Sequence, residues 1–358
     1  MGCFSIHARP RQACTTKSDS PMKKQLLLLG ASLLLALEGA QACSRITFVG
    51  HNGEVLTGRT MDWIVDDDVS LRLMAPNVVR KSVSPEKPFE WKSKYGSVIV
   101  VSFNESLNSG MNQRGFVVDS LWLSSSDYGE LKANEKHVAA NEFVLYLLDN
   151  FATVREAVDA LKAGGVRIFQ DKVPGTDKDL KLHFMITDKT GNNAILEYID
   201  GQLNVYEKKG VAAMTNDPSF DKMQAIEKLY RDRDLFKNMP GTSLAVDRYV
   251  RALGWAERIS ADAADFDKSI PLDMRVLSIM RTVSSPLGFS SKNNPQNCMT
   301  LWRSVADTQN GTITVDSSFG KTAFTIRIGD LSFKEDGQVI HLRALKRDET
   351  QDITSLAK

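Results

Sequence analysis

Apolar and polar residues alternate from Ser44 to Gly50, and a strand-like run resumes from Val55 to Trp63. Between them His51-Asn52-Gly53-Glu54 carries the Asn-Gly signal of a β-hairpin. A two-residue loop pairs His51 with Glu54 and, counting back, sets Cys43 opposite Asp62 and Arg59 opposite Ile46. In that register a regular pleat turns Arg59 away from Cys43, and a bulge at Gly58 or a strand end is needed to bring it back. Farther along, Asn141 to Asn150 reads as an apolar helix. Thr153-Val154-Arg155-Glu156 is a capping box, followed at helical spacing by Val154, Ala157, Val158 and Leu161, with Gly164 placed to stop the helix. Short strands are expected at Leu182 to Asp188, Ala194 to Ile199 and Gln202 to Tyr206, turned at Gly191-Asn192 and Asp200-Gly201. After a helical stretch at Asp273 to Arg281, strands are expected at Thr300 to Asp307, Thr312 to Asp316, Thr322 to Ile328 and Val339 to Ala344, with turns at Asn310-Gly311 and Asp336-Gly337. Antiparallel meanders separated from helical runs predict an α+β fold of sheets plus helices and argue against a parallel doubly wound one.

The start of the chain has a different pattern. Lys23 and Lys24 precede the apolar run Leu26 to Leu37, and Ala40-Gln41-Ala42 follows as a small-residue cleavage box. The run is shorter than the ~20 apolar residues a bilayer span needs, so residues 1–42 read as a leader and signal peptide. Met22 is a second plausible start. Export to the periplasm or the medium is therefore expected, with no stable membrane insertion after processing. Residues 43–358 show no linker and are expected to form a single large domain.

Charge narrows the partners. The chain holds 45 Lys and Arg against 44 Asp and Glu; the leader takes five of the first and two of the second, leaving 40 against 42. A near-neutral protein is not built for nucleic acid or an anionic membrane. No internal repeat, phosphate-cradling glycine loop or metal-ligand spacing stands out, so no metal and no cofactor are expected.

Of four cysteines, Cys3 and Cys14 leave with the leader and Cys43 and Cys298 stay. One reading pairs them in a disulfide, a common fate after export. A second makes Cys43 the lipid anchor of an envelope binding protein, although Ala40 and Gln41 stand where a lipoprotein box prefers Leu and a small residue. A third makes Cys43 an N-terminal nucleophile. Cleavage before it frees an α-amine of pKa about 7.7–8.0 beside a thiol of about 8.5, so one residue supplies both attacking sulfur and base. No histidine is then required, and His183, within Leu182-His183-Phe184-Met185-Ile186, reads as a structural strand residue. In this third reading the Asp62 carboxylate orients the amine, and Arg59 favours the thiolate.

Cys43 is followed by Gly58-Arg59-Thr60-Met61-Asp62-Trp63, Gly110-Met111-Asn112-Gln113-Arg114-Gly115, Met214-Thr215-Asn216-Asp217-Pro218-Ser219-Phe220 and Asp247-Arg248-Tyr249-Val250-Arg251. This ordered set closely resembles the choloylglycine hydrolase family, whose members are bile salt hydrolases and penicillin V acylases. Glu90-Trp91-Lys92-Ser93-Lys94-Tyr95-Gly96-Ser97 and Leu121-Trp122-Leu123 resemble its Gram-negative penicillin acylase branch. The resemblance implies a four-layer αββα sandwich of two antiparallel sheets between helical layers, an N-terminal-nucleophile hydrolase. It implies Cys43 as nucleophile, Arg59, Asp62 and Arg248 as the charged groups around it, and Asn216 as an oxyanion donor. Trp122 departs from the Asn or Tyr of other branches, and its ring cannot copy an amide donor. It is expected, with Met61 and Trp63, to line an apolar acyl site. The implied activity is hydrolysis of a small-molecule acyl amide through a thioester, of penicillin V type, with acyl-homoserine lactones as further candidates and conjugated bile salts as the alternative. Relatives are often tetrameric, so a homotetramer is implied as well.

Overall fold

The expected hairpin forms, as β1 (Ser44–Val49) and β2 (Val55–Trp63), in a computed structural model that describes residues 43–64, 68–83, 88–132, 135–174, 176–261, 269–289, 297–320, 323–342 and 353–357. The expected leader, residues 1–42, lies outside the described residues, which all belong to one unit of the chain, Ala40–Lys358.

The register differs from the expected one. Ser44 pairs with Thr60, Arg45 with Arg59 and Ile46 with Gly58, unbroken to Val49 opposite Val55. The loop holds three residues instead of two: Gly50 N–H donates to Glu54 O at 2.7 Å, Gly53 N–H donates to Gly50 O at 3.1 Å, and Gly53 takes the left-handed conformation with φ 84°. A three-residue loop with glycine at that position is the next commonest hairpin after the two-residue one. One residue of slip reverses every facing, so Arg59 falls on the same side as Cys43 with no bulge. Gly58 has another use. A Cβ there would lie 2.8 Å from Met280 Cγ and Val276 Cγ1, so its bare backbone lets a helix lie directly on β2.

The remaining strands, in chain order, are β3 (Ser70–Met74), β4 (Val79–Lys81), β5 (Glu90–Lys92), β6 (Ser97–Ser102), β7 (Ser106–Asn112), β8 (Val117–Trp122), β9 (His137–Ala139), β10 (Arg167–Phe169), β11 (Leu182–Thr187), β12 (Asn192–Ile199), β13 (Gln202–Lys209), β14 (Ala212–Thr215), β15 (Met299–Asp307), β16 (Thr312–Ser317), β17 (Ala323–Arg327) and β18 (Gln338–His341). The described helices of eight or more residues are α1 (Phe143–Asn150), α2 (Val154–Lys162), α3 (Phe220–Arg231), α4 (Ala245–Ala261) and α5 (Leu272–Thr282). A six-stranded sheet runs β14-β1-β2-β15-β16-β17 and an eight-stranded one β13-β12-β11-β8-β7-β6-β3-β18. Each pairing within them is antiparallel.

Helices α4 and α5 lie on the first sheet, and α1 and α2 on the second. The inner faces of both sheets, with α4 and α5, share one core that includes Ile46, Phe48, Val100, Met111 and Leu121; the second sheet's outer face and α1 form another around Phe143, Leu147 and Phe184. These are the four αββα layers. The capping box also forms, with Glu156 N–H donating to Thr153 Oγ1, although the Glu156 carboxylate reaches back to Ala152 N–H. Asn112 serves the fold: its amide donates to Leu148 O and Phe151 O and its Oδ1 accepts from Arg114 N–H, tying the β7–β8 turn to α1.

The observed register also places Arg45 between the sheets. Its Nε donates to Asp119 Oδ2 at 3.0 Å and its Nη2 to Thr187 at 2.6 Å, with both ion-pair partners almost fully buried. Ser109 donates to the other oxygen of Asp119. A buried pair keeps its charges only when its remaining donors and acceptors are bonded in this way, so this network fixes how one sheet sits on the other beneath the site.

Candidate active site

Cys43 sits at the head of β1, only 4% exposed. Its Sγ lies 3.9 Å from Met61 Sδ and 3.9 Å from the Asp62 carbonyl oxygen. Neither neighbour is a general base. Both cysteines are free, so the disulfide reading is set aside.

Arg59, across the ladder from Arg45, is 2% exposed and points to the face between the sheets. Its Nη1 donates to Asn108 O on β7, its Nη2 approaches Met61 Sδ at 3.7 Å, and the guanidinium lies 5.3 Å from the centroid of the Trp302 ring. Among the described residues no carboxylate comes within ion-pair distance of it, so its charge is left to act on the sulfur. Arg248 approaches from the first turn of α4 and is also buried. Its Nη1 donates to Cys43 O and, at 2.7 Å, to Ser44 Oγ, while its Nη2 donates to Asn216 Oδ1 at 3.1 Å. Burial pushes the Cys43 thiol up; Arg59 pulls it back down, Asp62 adds to the rise, and Arg248 opposes it.

Asp62 faces the helical side of β2. Its Oδ2 lies 3.4 Å from Thr60 Oγ1, and its Oδ1 is buried without a hydrogen-bond partner. Burial pushes its carboxyl up to about 6 against the pull of Arg248, Thr300, Arg303 and Thr60. The folded chain holds a proton that the unfolded chain, at the ordinary value of 3.8, has lost, so this group's stabilisation is full below about pH 4 and disappears as pH rises to about 6. Melting curves of unprocessed protein and of Asp62→Asn between pH 4 and 7 check this: the wild type should lose more stability on that rise than the variant. Parallel curves would contradict it.

Asn216 follows β14 and joins both sheets. Its Nδ2 donates to Trp122 O at 2.9 Å while its Oδ1 accepts from Arg248, which fixes the orientation of the amide. Asp217 secures the same turn by accepting from Ser124 N–H at 3.1 Å and from Ser124 Oγ at 3.0 Å. Trp122 closes one side, its indole Nε1 donating to Ser124 Oγ at 3.1 Å and its ring meeting Trp63 edge to face at 6.5 Å. Phe103 extends this wall, 6.1 Å from Trp63.

Cys43, Arg59, Met61, Asp62, Trp63, Trp122, Asn216 and Arg248 therefore come together. Ser44, Asn108, Thr300, Asp217, Ser124 and Phe103 also serve the site, and no local pattern in the sequence singles them out. His183 is structural, its Nδ1 2.9 Å from Glu197, which also accepts from Phe220 N–H. Among the described residues there is no cluster of three or more metal-ligating side chains, and no helix is long and apolar enough to cross a membrane.

The chain is 29% identical over 339 residues to the penicillin V acylase of Pectobacterium atrosepticum, an alignment covering 90% of each protein. It is 27% identical over 188 residues to a bile salt hydrolase/transferase of Clostridium perfringens, covering 50% of this chain and 54% of that one. Its fold superimposes on the structure of penicillin V acylase from Agrobacterium tumefaciens with a TM-score of 0.72 at 32% identity, covering 83% of this chain and 90% of the other. A variant of the conjugated bile acid hydrolase of Clostridium perfringens shares the αββα fold with a TM-score of 0.71 at 21% identity, covering 83% of this chain and 96% of the other. The model of the linear amide C-N hydrolases, choloylglycine hydrolase family, matches residues 43–319, beginning on Cys43 itself; the chain belongs to that family and is a hydrolase of linear amides.

Proposed function

We propose that the chain is exported, cleaved before Cys43, and acts as a penicillin V-type acylase with the Cys43 thiol as nucleophile. One observation carries the nucleophile: among the described residues the buried sulfur stands near two guanidinium groups with no side-chain base within hydrogen-bond distance, while Asp62 Oδ1 is a buried acceptor with no donor among them. An α-amine freed at Cys43 supplies both missing parts. It takes the thiol proton, and as an ammonium it answers Asp62. A sulfur this enclosed also suits attack on a bound substrate better than attachment to a lipid.

The amine removes the thiol proton, and the thiolate attacks the amide carbonyl. The second N–H of Asn216 stabilises the oxyanion. The C–N bond breaks as the ammonium protonates the leaving nitrogen, giving a thioester and a free amine. Water, deprotonated by the same amine, releases the acid and restores the thiol.

Similarity over 90% of both chains to one penicillin V acylase, against similarity over half the chain to a bile salt hydrolase, favours phenoxyacetyl amides as substrates. The test is a panel of penicillin V, glycocholate, taurocholate and long-chain acyl-homoserine lactones given to processed protein whose N-terminal mass is measured. An unmodified Cys43 terminus with kcat/KM highest for penicillin V is expected. A tenfold preference for either bile conjugate would move the assignment to bile salt hydrolysis; an active protein with uncut or lipidated Cys43 would end the proposed mechanism.

A further inference from the structure

The aromatic wall carries a cation that the chemistry above does not use. Residues 171–174 and 176–181 fold against each other, with Val173 N–H donating to Lys178 O and Leu180 N–H to Asp171 O, both at 2.8 Å. Three lysines project from them. Lys172 pairs with Asp179, and Lys181 donates to Ser124 O at 3.1 Å. Lys178, exposed to solvent, instead sets its ammonium 4.6 Å from the centroid of the Trp122 ring, and among the described residues no carboxylate lies within ion-pair distance of it. Trp122 is itself held through Ser124 and Asp217 to the turn that bears Asn216. A cation–π contact worth at most a modest amount at an exposed site thus holds an unneutralised positive charge over a ring whose own carbonyl is bonded to the proposed oxyanion donor.

We propose that Lys178 recognises a carboxylate on the amine half of the substrate. The inference rests on the acylase reading and narrows it. The acyl half needs an apolar surface, which Trp63, Trp122 and Phe103 offer. An ionised group laid among those rings would lose its hydration without compensation, whereas at the solvent-facing edge it meets the Lys178 ammonium. Amides with an anionic leaving half are then preferred to neutral ones of the same acyl group, so an acyl-homoserine lactone, whose leaving half is uncharged, ranks below penicillin V.

Penicillin V and its methyl ester share the acyl group and differ in this charge and one methyl. For wild type, kcat/KM should favour the acid. In Lys178→Gln the acid-to-ester ratio should fall by up to about 5-fold, the range for an exposed ion pair, through KM and with kcat for the acid little changed. Lys178→Arg should restore the ratio. About 1 M salt, where the Debye length is ~3 Å, should shrink the wild-type ratio toward that of Lys178→Gln. A clamp that merely held Trp122 in place would alter acid and ester alike, so an unchanged ratio overturns the inference while the acylase reading stands. No hydrolysis of either compound by processed wild type overturns the acylase reading and the inference with it.

Discussion

Processed Cys43→Ala protein is expected to lose amide hydrolysis by a factor on the order of 10⁴–10⁶ in kcat, the range seen when the attacking group of a hydrolase is removed. The fold should survive. The buried side chain is small, with Met61 Sδ and the Asp62 carbonyl oxygen each 3.9 Å from its sulfur, so its loss leaves a small void costing about 1–2 kcal/mol, and a melting curve near that of wild type is the control. Cys43→Ser separates sulfur from mere shape. Its hydroxyl ionises far above the thiol's ~8.5, so an amine of pKa about 8 no longer matches it, and most activity at neutral pH should go as well. The two guanidinium groups sharpen the contrast: Arg59 and Arg248 both pull the thiol down against the rise that burial imposes, help that matters for a group within reach of ionisation and achieves little for an alcohol. Iodoacetamide should inactivate the processed enzyme with the adduct on Cys43 and not on Cys298. Near-normal turnover by Cys43→Ala would remove the thiol mechanism altogether.

Local pattern located strands in both sheets but missed β6, β7 and β8. β12, β15 and β16 lie within two residues of where alternation and the flanking turn signals set them. The middle of the eight-stranded sheet gave no such signal, because β6 and β8 are buried at every position and β7 at all but the first. A strand covered on both faces shows an unbroken apolar or small-residue run in place of alternation. β13 was read short, to Tyr206, where it continues to Lys209 along an exposed sheet edge that imposes no apolar period. The hairpin error had a different cause. Asn52-Gly53 fits a two-residue loop, but Gly53 serves as the left-handed residue of a three-residue one, and one residue of loop length decided whether Arg59 faced the sulfur. Arg45 and Asp119 are 74 residues apart, and Arg248 meets Cys43 across 205. No periodicity spans such distances, so Asn216 and Arg248 were reachable only through the resemblance of whole motifs.

Asn216→Ala should lower kcat by a factor on the order of 10²–10³, as removal of one oxyanion donor does, with KM for the same substrate far less affected. Two hydrogen bonds define the role of this side chain. Arg248 donates to Oδ1 and Nδ2 donates to Trp122 O, and because an amide nitrogen carries two hydrogens, one N–H remains for a negatively charged oxygen formed as the thiolate attacks. Substitution by alanine also strips a partner from the buried Arg248 guanidinium and from the Trp122 carbonyl, at a cost of about 1–3 kcal/mol in stability, so kinetics must be measured well below the variant's own melting temperature. Asn216→Asp separates the two roles. It keeps an acceptor for Arg248 in the same shape but has no N–H to give, and it should be as slow as Asn216→Ala or slower while melting closer to wild type. A variant that recovers stability together with rate would show that Asn216 merely braces Arg248 and is not the oxyanion donor.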